Sequence, residues 1–342
     1  MSSALSHLVA TRIRETLRQP EAVFWTFLFP VLMSVALGVA FRGERPDPAA
    51  VVVVEAPGAD RLGAWLRADK AVSVERLAPE EAGARLRSGK ADVVVVPGDP
   101  VTYRFDPTRP ESRLARARVD AALQRAAGRT DPLPVREEPV TEPGSRYIDF
   151  LVPGLLGMNL MGGGLWGIGW TIVEMRIRKL LKLQLTTPMR RRDFLLSHVL
   201  VRVAFVPLEV VPLLVLSRFL FDVRVTGSWA SMAVVSLLGA VSFAGLGTLV
   251  ASRARTTGTI SGLINLCTLP MFVLSGVFFS TTRFPEGLQP WIRALPLTAL
   301  IDALRALMVE GAPLASLGTP LTVLALWGAL SFAAALRVFR WA

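Results

Sequence analysis

The chain has 342 residues, 52% of them hydrophobic, with a formal net charge of +11, one cysteine and two histidines. A single cysteine excludes an intramolecular disulfide, and His7 and His198 lack the neighbouring ligands that a metal site requires. A soluble domain of this length shows fewer uninterrupted apolar runs, so the composition excludes an ordinary soluble protein.

The location of the positive charge argues against a nucleic-acid partner. From Arg42 to Tyr147 the sequence has 18 basic and 17 acidic residues, and the rest of the excess lies in short segments beside apolar runs. Membrane proteins carry their basic residues in such segments. We therefore expect a membrane protein that has the lipid bilayer, and no nucleic acid, as a partner.

Residues 1–21 predict an amphipathic helix, because apolar residues recur at helical spacing while Arg12, Arg14 and Arg18 lie mostly elsewhere around it. Such a helix can lie on the membrane or pack against a partner protein, and the sequence leaves both open. Residues 22–41 follow as an apolar run of 20 residues without a charge. A bilayer core of about 30 Å needs roughly 20 such residues, so this run predicts the first transmembrane helix.

Residues 42–147 predict a small α/β domain and a linker. Val51–Val54 and Val93–Val96 are apolar runs typical of buried strands. Pro79 with the two acidic residues after it favours a helix start. The prolines between Thr130 and Gly144 indicate a linker.

Residues 148–342 predict five further membrane helices, at 150–173, 194–221, 229–251, 258–279 and 317–336. The predicted fold class is therefore an α-helical polytopic membrane protein. It has six transmembrane helices and a small α/β extracytoplasmic domain between helices 1 and 2.

The distribution of basic residues predicts the orientation. Short segments on the side of the N-terminus carry 14 Arg and Lys residues, whereas short segments on the opposite side carry 5. Both termini are therefore expected in the cytoplasm, and the 42–147 domain is expected outside.

The loop between the second and third predicted helices is the most informative motif. Within residues 174–188, the apolar Ile177, Leu180, Leu181 and Leu185 share one face of a predicted helix, and basic residues occupy the other positions. A proline ends this helix. A short helix held between two membrane helices can act as a lever, or it can simply lie on anionic lipid.

Four of the polar residues inside the predicted membrane helices need an explanation. Arg202 is expected to extend to the cytoplasmic surface, while Glu209, two turns further along the same helix, lies deeper. Glu209 lines a translocation path, contacts a partner permease or pairs with a neighbouring helix. Asn159 and Asn265 are candidates for the same path or for hydrogen bonds between helices. The glycines at 162–164 predict close helix packing.

In the order and spacing of its motifs, the chain resembles the permease subunits of type 2 ATP-binding-cassette exporters. The motifs are Arg18-Gln19-Pro20, the domain after the first run, Glu174 with the basic helix and Thr187-Pro188, Leu274–Phe279, and Pro296-Leu297-Thr298 with Asp302 and Arg305. Many members have a Gly-Thr pair shortly after the loop glutamate, where this chain has Arg178-Lys179-Leu180-Leu181.

The resemblance implies a non-catalytic subunit that moves a substrate outward with ATP hydrolysed by a separate nucleotide-binding subunit. ATP and Mg²⁺ would lie on that partner, and no cofactor is expected on this chain. The resemblance also implies a homodimer or a pair with a related permease, the cytoplasmic (inner) membrane, and a re-entrant segment at 284–310. It makes residues 174–188 the coupling helix that contacts the ATPase, with these candidate contacts: Glu174, Arg178, Leu181, Leu185, Thr187 and Pro188.

The 342 residues contain no G-x-x-x-x-G-K-[ST] motif, so this chain does not bind ATP phosphates in that way.

Two other functions are weighed against the permease. The alternative function is a membrane sensor or assembly protein whose extracytoplasmic domain binds a ligand. A membrane-embedded enzyme ranks third, because no cluster of histidines or carboxylates is apparent. Six membrane helices with a basic loop favour the transporter.

Overall fold

The computed structural model describes residues 9–11, 13–14, 18, 20–24, 28–40, 48–130, 133, 135–136, 144, 146–185 and 191–339. Most of the predicted amphipathic helix at 1–21 and of the predicted linker at 130–144 therefore lies outside the described residues. The chain divides into two compact units, Gly43–Pro139 and the remainder, and each has its own apolar core.

The first predicted membrane helix is described in two parts. Pro20–Val23 is a helical turn, and helix α1 spans Phe29–Ala40. Residues 25–27 lie outside the described part of the chain. The 12 residues of α1 extend about 18 Å, which is less than the bilayer core of about 30 Å. A membrane helix over 22–41 therefore stays a prediction.

The unit Gly43–Pro139 contains a four-stranded sheet with helices on both faces. Its elements are β1 (Ala49–Val54), α2 (Ala59–Arg67), β2 (Val72–Leu77), α3 (Pro79–Arg87), β3 (Val93–Val96), β4 (Thr102–Phe105) and α4 (Pro110–Ala126). The strand order is β2-β1-β3-β4, with β1 parallel to both β2 and β3, and β4 antiparallel to β3.

Burial on both faces explains the valine runs. Val51 and Val53 belong to the core formed with α2 and α4, whereas Val52 and Val54 belong to the core formed with α3. A central strand of a parallel sheet is covered on both sides, so consecutive positions are apolar instead of alternate ones. The two predicted valine strands are present as β1 and β3, and Pro79 is the first residue of α3.

The second unit is helical. After α1 its helices are α5 (Tyr147–Ile177), α6 (Leu180–Leu185), α7 (Arg191–Phe221), α8 (Trp229–Ala251), α9 (Thr257–Leu274), α10 (Gln289–Arg293), α11 (Pro296–Met308) and α12 (Gly318–Val338). Within the described residues, α5, α7, α8, α9 and α12 are long and apolar enough to cross a membrane. The predicted class, a mostly helical polytopic membrane protein, is confirmed, with five of the six expected membrane helices described at full length.

Helices α5 and α8 lie at the centre of this unit and are more buried by the rest of the chain than α9 or α12. Glycines allow them to approach closely. A Cβ atom on Gly164 would lie 2.5 Å from the Cβ of Phe243, and one on Gly247 would collide with the carbonyl oxygen of Gly164. Of the glycines predicted to serve close helix packing, Gly164 does so, whereas a Cβ on Gly162 would have no described atom outside the local helix backbone within 4 Å.

Helix α9 ends at Leu274, so the expectation that it continues to Phe279 is wrong. The N–H of Ser275 donates to the carbonyl of Met271 at 2.9 Å, and Gly276 has a left-handed φ of +76°. Glycine adopts this conformation without a Cβ clash and commonly follows a helix end. The apolar residues after Gly276 therefore form a turn.

Residues 284–310 contain two short α-helices, α10 with 5 residues and α11 with 13, and a 3₁₀ turn at Glu286–Leu288. Helix α11 is buried on most sides and packs against α5, α8 and α12. Its length is about 20 Å, which is too short to cross a bilayer. This shape agrees with the expected re-entrant segment, whose position in the membrane remains a proposal.

Candidate functional site

The segment that joins α5 to α7 consists of two helices instead of one. Helix α5 continues to Ile177, Lys179 has a left-handed φ of +59°, and α6 begins at Leu180. The expectation of a single amphipathic helix over 174–188 is therefore wrong. The sequence contains no sign of this break, because the left-handed position usually belongs to glycine or asparagine and is a lysine here.

After this break, the side chain of Leu181 is buried within the chain. Leu181 is 1% exposed and belongs to a small apolar cluster with Met175 of α5 and Phe194 of α7, against which the half-buried Phe339 packs. Burying a leucine contributes roughly 1.5–3 kcal/mol. Leu181 was expected to contact a partner, but it instead fixes α6 to the ends of three membrane helices.

Other side chains of this segment point outward. Ile177, Leu180 and Leu183 are 47%, 40% and 63% exposed, and three basic residues are exposed among them. We call this surface the α5–α6 patch, and its members are Ile177, Arg178, Lys179, Leu180, Lys182 and Leu183. It combines apolar side chains with positive charge, which suits an acidic groove that has an apolar floor.

Of the remaining candidates in this loop, Glu174 accepts a hydrogen bond from the Arg178 guanidinium at 2.6 Å, one helical turn away. Both side chains are partly exposed, and such pairs contribute only about 0.3–0.5 kcal/mol. Leu185 is the last residue of α6, while Thr187 and Pro188 lie outside the described residues.

Arg176 is a functional candidate that the sequence analysis missed. Its guanidinium donates to the carbonyl of Ala251 at 2.8 Å, to that of Ser252 at 3.2 Å, and to that of Ala254. It also lies 5.5 Å from the ring centroid of Phe339. The last carbonyls of a helix lack intrahelical donors, so this arginine caps α8 and attaches the α5–α6 segment to the turn before α9.

Arg202 and Glu209 form a buried ion pair on α7. Their side chains are 4% and 0% exposed, and both Nη atoms of Arg202 contact the carboxylate, one of them at 2.8 Å. The expectation that Arg202 extends to the membrane surface is wrong, because the side chain instead reaches the acidic residue two turns along its own helix. Its Nη2 also donates to the carbonyl of Leu160 on α5 at 3.0 Å.

The neighbouring part of α5 has π-helical hydrogen bonding over Gly163–Ile168. A Cβ atom on Gly163 would lie 2.5 Å from the Arg202 guanidinium, whereas one on Gly162 would have no described atom outside the local helix backbone within 4 Å. Segments of this kind are rare, and they often occur at functional sites in helices. The guanidinium occupies the space that a side chain at position 163 would fill.

The polar candidates do not form one site. Asn159 is buried in α5 beside Leu160, whereas Asn265 is exposed on α9. Both carboxylate oxygens of Glu209 accept from Arg202 on its own helix, and a role for Glu209 in a translocation path stays a prediction. Within the part of the chain that the structure describes, no group of three or more His, Cys, Asp or Glu side chains is placed to bind a metal ion.

Comparison with known proteins adds to this geometry. The profile of the family described as "ABC-2 family transporter protein" matches residues 21–337. The chain is also similar to Nodulation protein J of Bradyrhizobium diazoefficiens, with 26% identity over 199 residues, covering 58% of this chain and 75% of that protein.

Proposed function

The chain belongs to the ABC-2 family of transporter proteins, and we propose that it is the permease subunit of an exporter driven by ATP hydrolysis on a separate nucleotide-binding subunit. Family membership makes it the membrane component of an ATP-binding-cassette transporter. The observation that supports the coupling role is the α5–α6 patch, an exposed apolar and basic surface on a segment that is firmly attached to the membrane helices.

The attachment matters as much as the exposure. A contact surface transmits force only if it is fixed to what must move. Leu181 joins the patch to the cytoplasmic ends of α5 and α7, and Arg176 joins it to the end of α8. A displacement of the patch by the ATPase would therefore reach several membrane helices at once. ATP and Mg²⁺ are bound and hydrolysed on the partner, and this chain supplies no catalytic group.

The test is retention of the ATPase by the purified permease. The tagged permease without substitutions is expected to co-purify with a protein that carries the G-x-x-x-x-G-K-[ST] motif and hydrolyses ATP. Leu183→Asp places a charge on the most exposed leucine of the patch. A truncated interface hot spot costs about 2 kcal/mol or more, roughly 30-fold in affinity, so most of the ATPase should be lost.

Leu114→Asp is the matched control. Leu114 is 53% exposed on α4 of the α/β unit, so the chemical change is the same and the proposed location is on the opposite side of the membrane. It should retain the ATPase. Equal retention by both variants would show that the patch is not the ATPase contact.

The proposed topology has six membrane helices in the cytoplasmic (inner) membrane, with residues 22–41 as the first. Both termini and the α5–α6 patch lie in the cytoplasm, and the unit Gly43–Pro139 lies outside. Its support is the basic residue distribution, which favours the side of the N-terminus by 14 to 5. With this orientation, substrate leaves toward the α/β unit.

We further propose that α9 faces a second permease subunit. Gly258, Gly262 and Asn265 lie on one exposed face of this helix, together with Leu269. Among the described residues, nothing outside the local helix backbone lies within 4 Å of a Cβ built on either glycine. Small residues allow close helix contact, and an amide in lipid is unfavourable without a hydrogen-bond partner. A second copy of α9 would supply both.

A further inference from the structure

The Arg202 guanidinium links two helices in the interior of the membrane unit. It is held by the carboxylate of Glu209 on α7, and its Nη2 donates to the Leu160 carbonyl of α5 at 3.0 Å. With side-chain exposures of 4% and 0%, neither charged group reaches the surface of the chain. A buried pair is weak evidence for stability, because burial removes both ions from water, so a specific role is worth seeking.

The link lies at the irregular part of α5. Leu160 precedes the π-helical segment Gly163–Ile168 by three residues, and the guanidinium fills the space beside Gly163. A Cβ at position 163 would lie 2.5 Å from the guanidinium, so the guanidinium would have to shift if this glycine were replaced. The π-helical segment, the glycine and the arginine therefore form one structural feature.

This feature lies far from the α5–α6 patch, and the two share helix α5. Leu160 is 17 residues before Ile177, or about 25 Å of helix at 1.5 Å per residue. Helices α5 and α7 are thus joined at two levels, by the connecting segment at one end and by Arg202 within the membrane unit.

We propose that Arg202 is a positioning residue for transport, which makes α5 and α7 move as one body when the α5–α6 patch is displaced. The inference rests on the proposed function, because it needs an ATPase at the patch. Glu209 holds the guanidinium in place, and the absence of a side chain at Gly163 leaves space for the guanidinium. Without the contact to Leu160, movement of the cytoplasmic end of α5 would be absorbed at the π-helical segment.

The experiment follows a thiol probe at the far end of α7. Phe219, which is 82% exposed, is replaced by cysteine in a Cys267→Ala background, and maleimide reactivity is measured with and without ATP and vanadate in the complex. We expect a nucleotide-dependent change in reactivity. Gly163→Ala should reduce this change about 2- to 30-fold, the range found for mutations in coupled networks, and it should retain the bound ATPase.

Gly162→Ala is the matched control and should retain the nucleotide-dependent change, because a Cβ there lies more than 4 Å from the described residues outside the local helix backbone. In an Arg202→Gln/Glu209→Gln background, Gly163→Ala should have no additional effect on the probe or on the unfolding temperature. The exchange Arg202→Glu/Glu209→Arg preserves a buried ion pair but moves the guanidinium away from Leu160, and it should not restore the change.

Three results with the variants would overturn the inference. They are equal responses of Gly162→Ala and Gly163→Ala, an undiminished effect of Gly163→Ala in the double-glutamine background, or full restoration by the exchange. The inference would also be overturned if the complex without these substitutions retained its ATPase but showed no nucleotide-dependent change in maleimide reactivity at position 219. Absence of any ATPase from the parent complex would instead contradict the proposed function, and the positioning role with it.

Discussion

Replacing Leu181 by alanine should destabilise the permease without weakening a direct contact to the ATPase. Leu181 is 1% exposed, so nearly all of its apolar surface is covered by this chain. Substitution of a buried leucine by alanine costs 2–5 kcal/mol, depending on how far the site collapses. The cluster is small and one neighbour, Phe339, is only half-buried, so relaxation is easy and we expect about 2–3 kcal/mol.

Thermal unfolding of the purified permease, followed by tryptophan emission, measures this effect. At roughly 2–4 °C per kcal/mol for a chain of this order of size, Leu181→Ala should lower the unfolding temperature by about 5 °C or more. Leu183→Ala is the control: Leu183 is 63% exposed, and surface substitutions usually stay within about 0.5 kcal/mol. An unchanged unfolding temperature for Leu181→Ala, combined with loss of the ATPase, would refute the inward packing of this leucine.

Three further results are expected. Arg176→Gln removes the cap on α8, and the lost charge–carbonyl bonds should cost about 1.5–3 kcal/mol in unfolding measurements; an unchanged unfolding temperature would contradict the capping role. In a cysteine-free background, Leu269→Cys on α9 should form a disulfide-linked dimer under mild oxidation. Leu330→Cys on α12, at a similarly exposed position, should not form one, and the reverse result would place the second subunit elsewhere. An impermeant maleimide on intact spheroplasts should label Ser88→Cys but not Lys182→Cys, and the opposite pattern would invert the topology.

Much of the architecture was predictable because it depends on local patterns. The valine runs of β1 and β3 are continuous since both faces of the sheet are covered, and the apolar runs of α5, α7, α8 and α12 are long enough to identify membrane helices. The end of α9 was also within reach, because Gly276 is a common signal for the end of a helix.

The orientation of side chains in the α5–α6 segment was not predictable. The sequence analysis assigned Leu180 and Leu181 to one apolar face, yet Leu180 is 40% exposed and Leu181 only 1%. The helix that carries both leucines begins after a left-handed backbone at Lys179, which carries no glycine or proline signal. Periodicity predicts that a helix has an apolar face, but it does not show whether that face packs within the chain or against a partner.

The two arginine contacts required tertiary information. Arg202 and Glu209 were recognised as lying on a similar face, but the Leu160 carbonyl that completes the arrangement is on a different helix. Arg176 appeared to be one of several exposed basic residues, and its acceptors are 75 or more residues away in sequence. No local pattern distinguishes a capping arginine of this kind from its exposed neighbours.

The central claim is that the α5–α6 patch contacts the ATPase subunit, and a photo-cross-linking amino acid at position 183 tests it most directly. Ultraviolet irradiation of membranes that contain the assembled complex should yield an adduct between the permease and the protein that carries the G-x-x-x-x-G-K-[ST] motif. The same amino acid at position 114 should yield no such adduct. An adduct with lipid only at position 183, while the ATPase remains bound, would contradict the account.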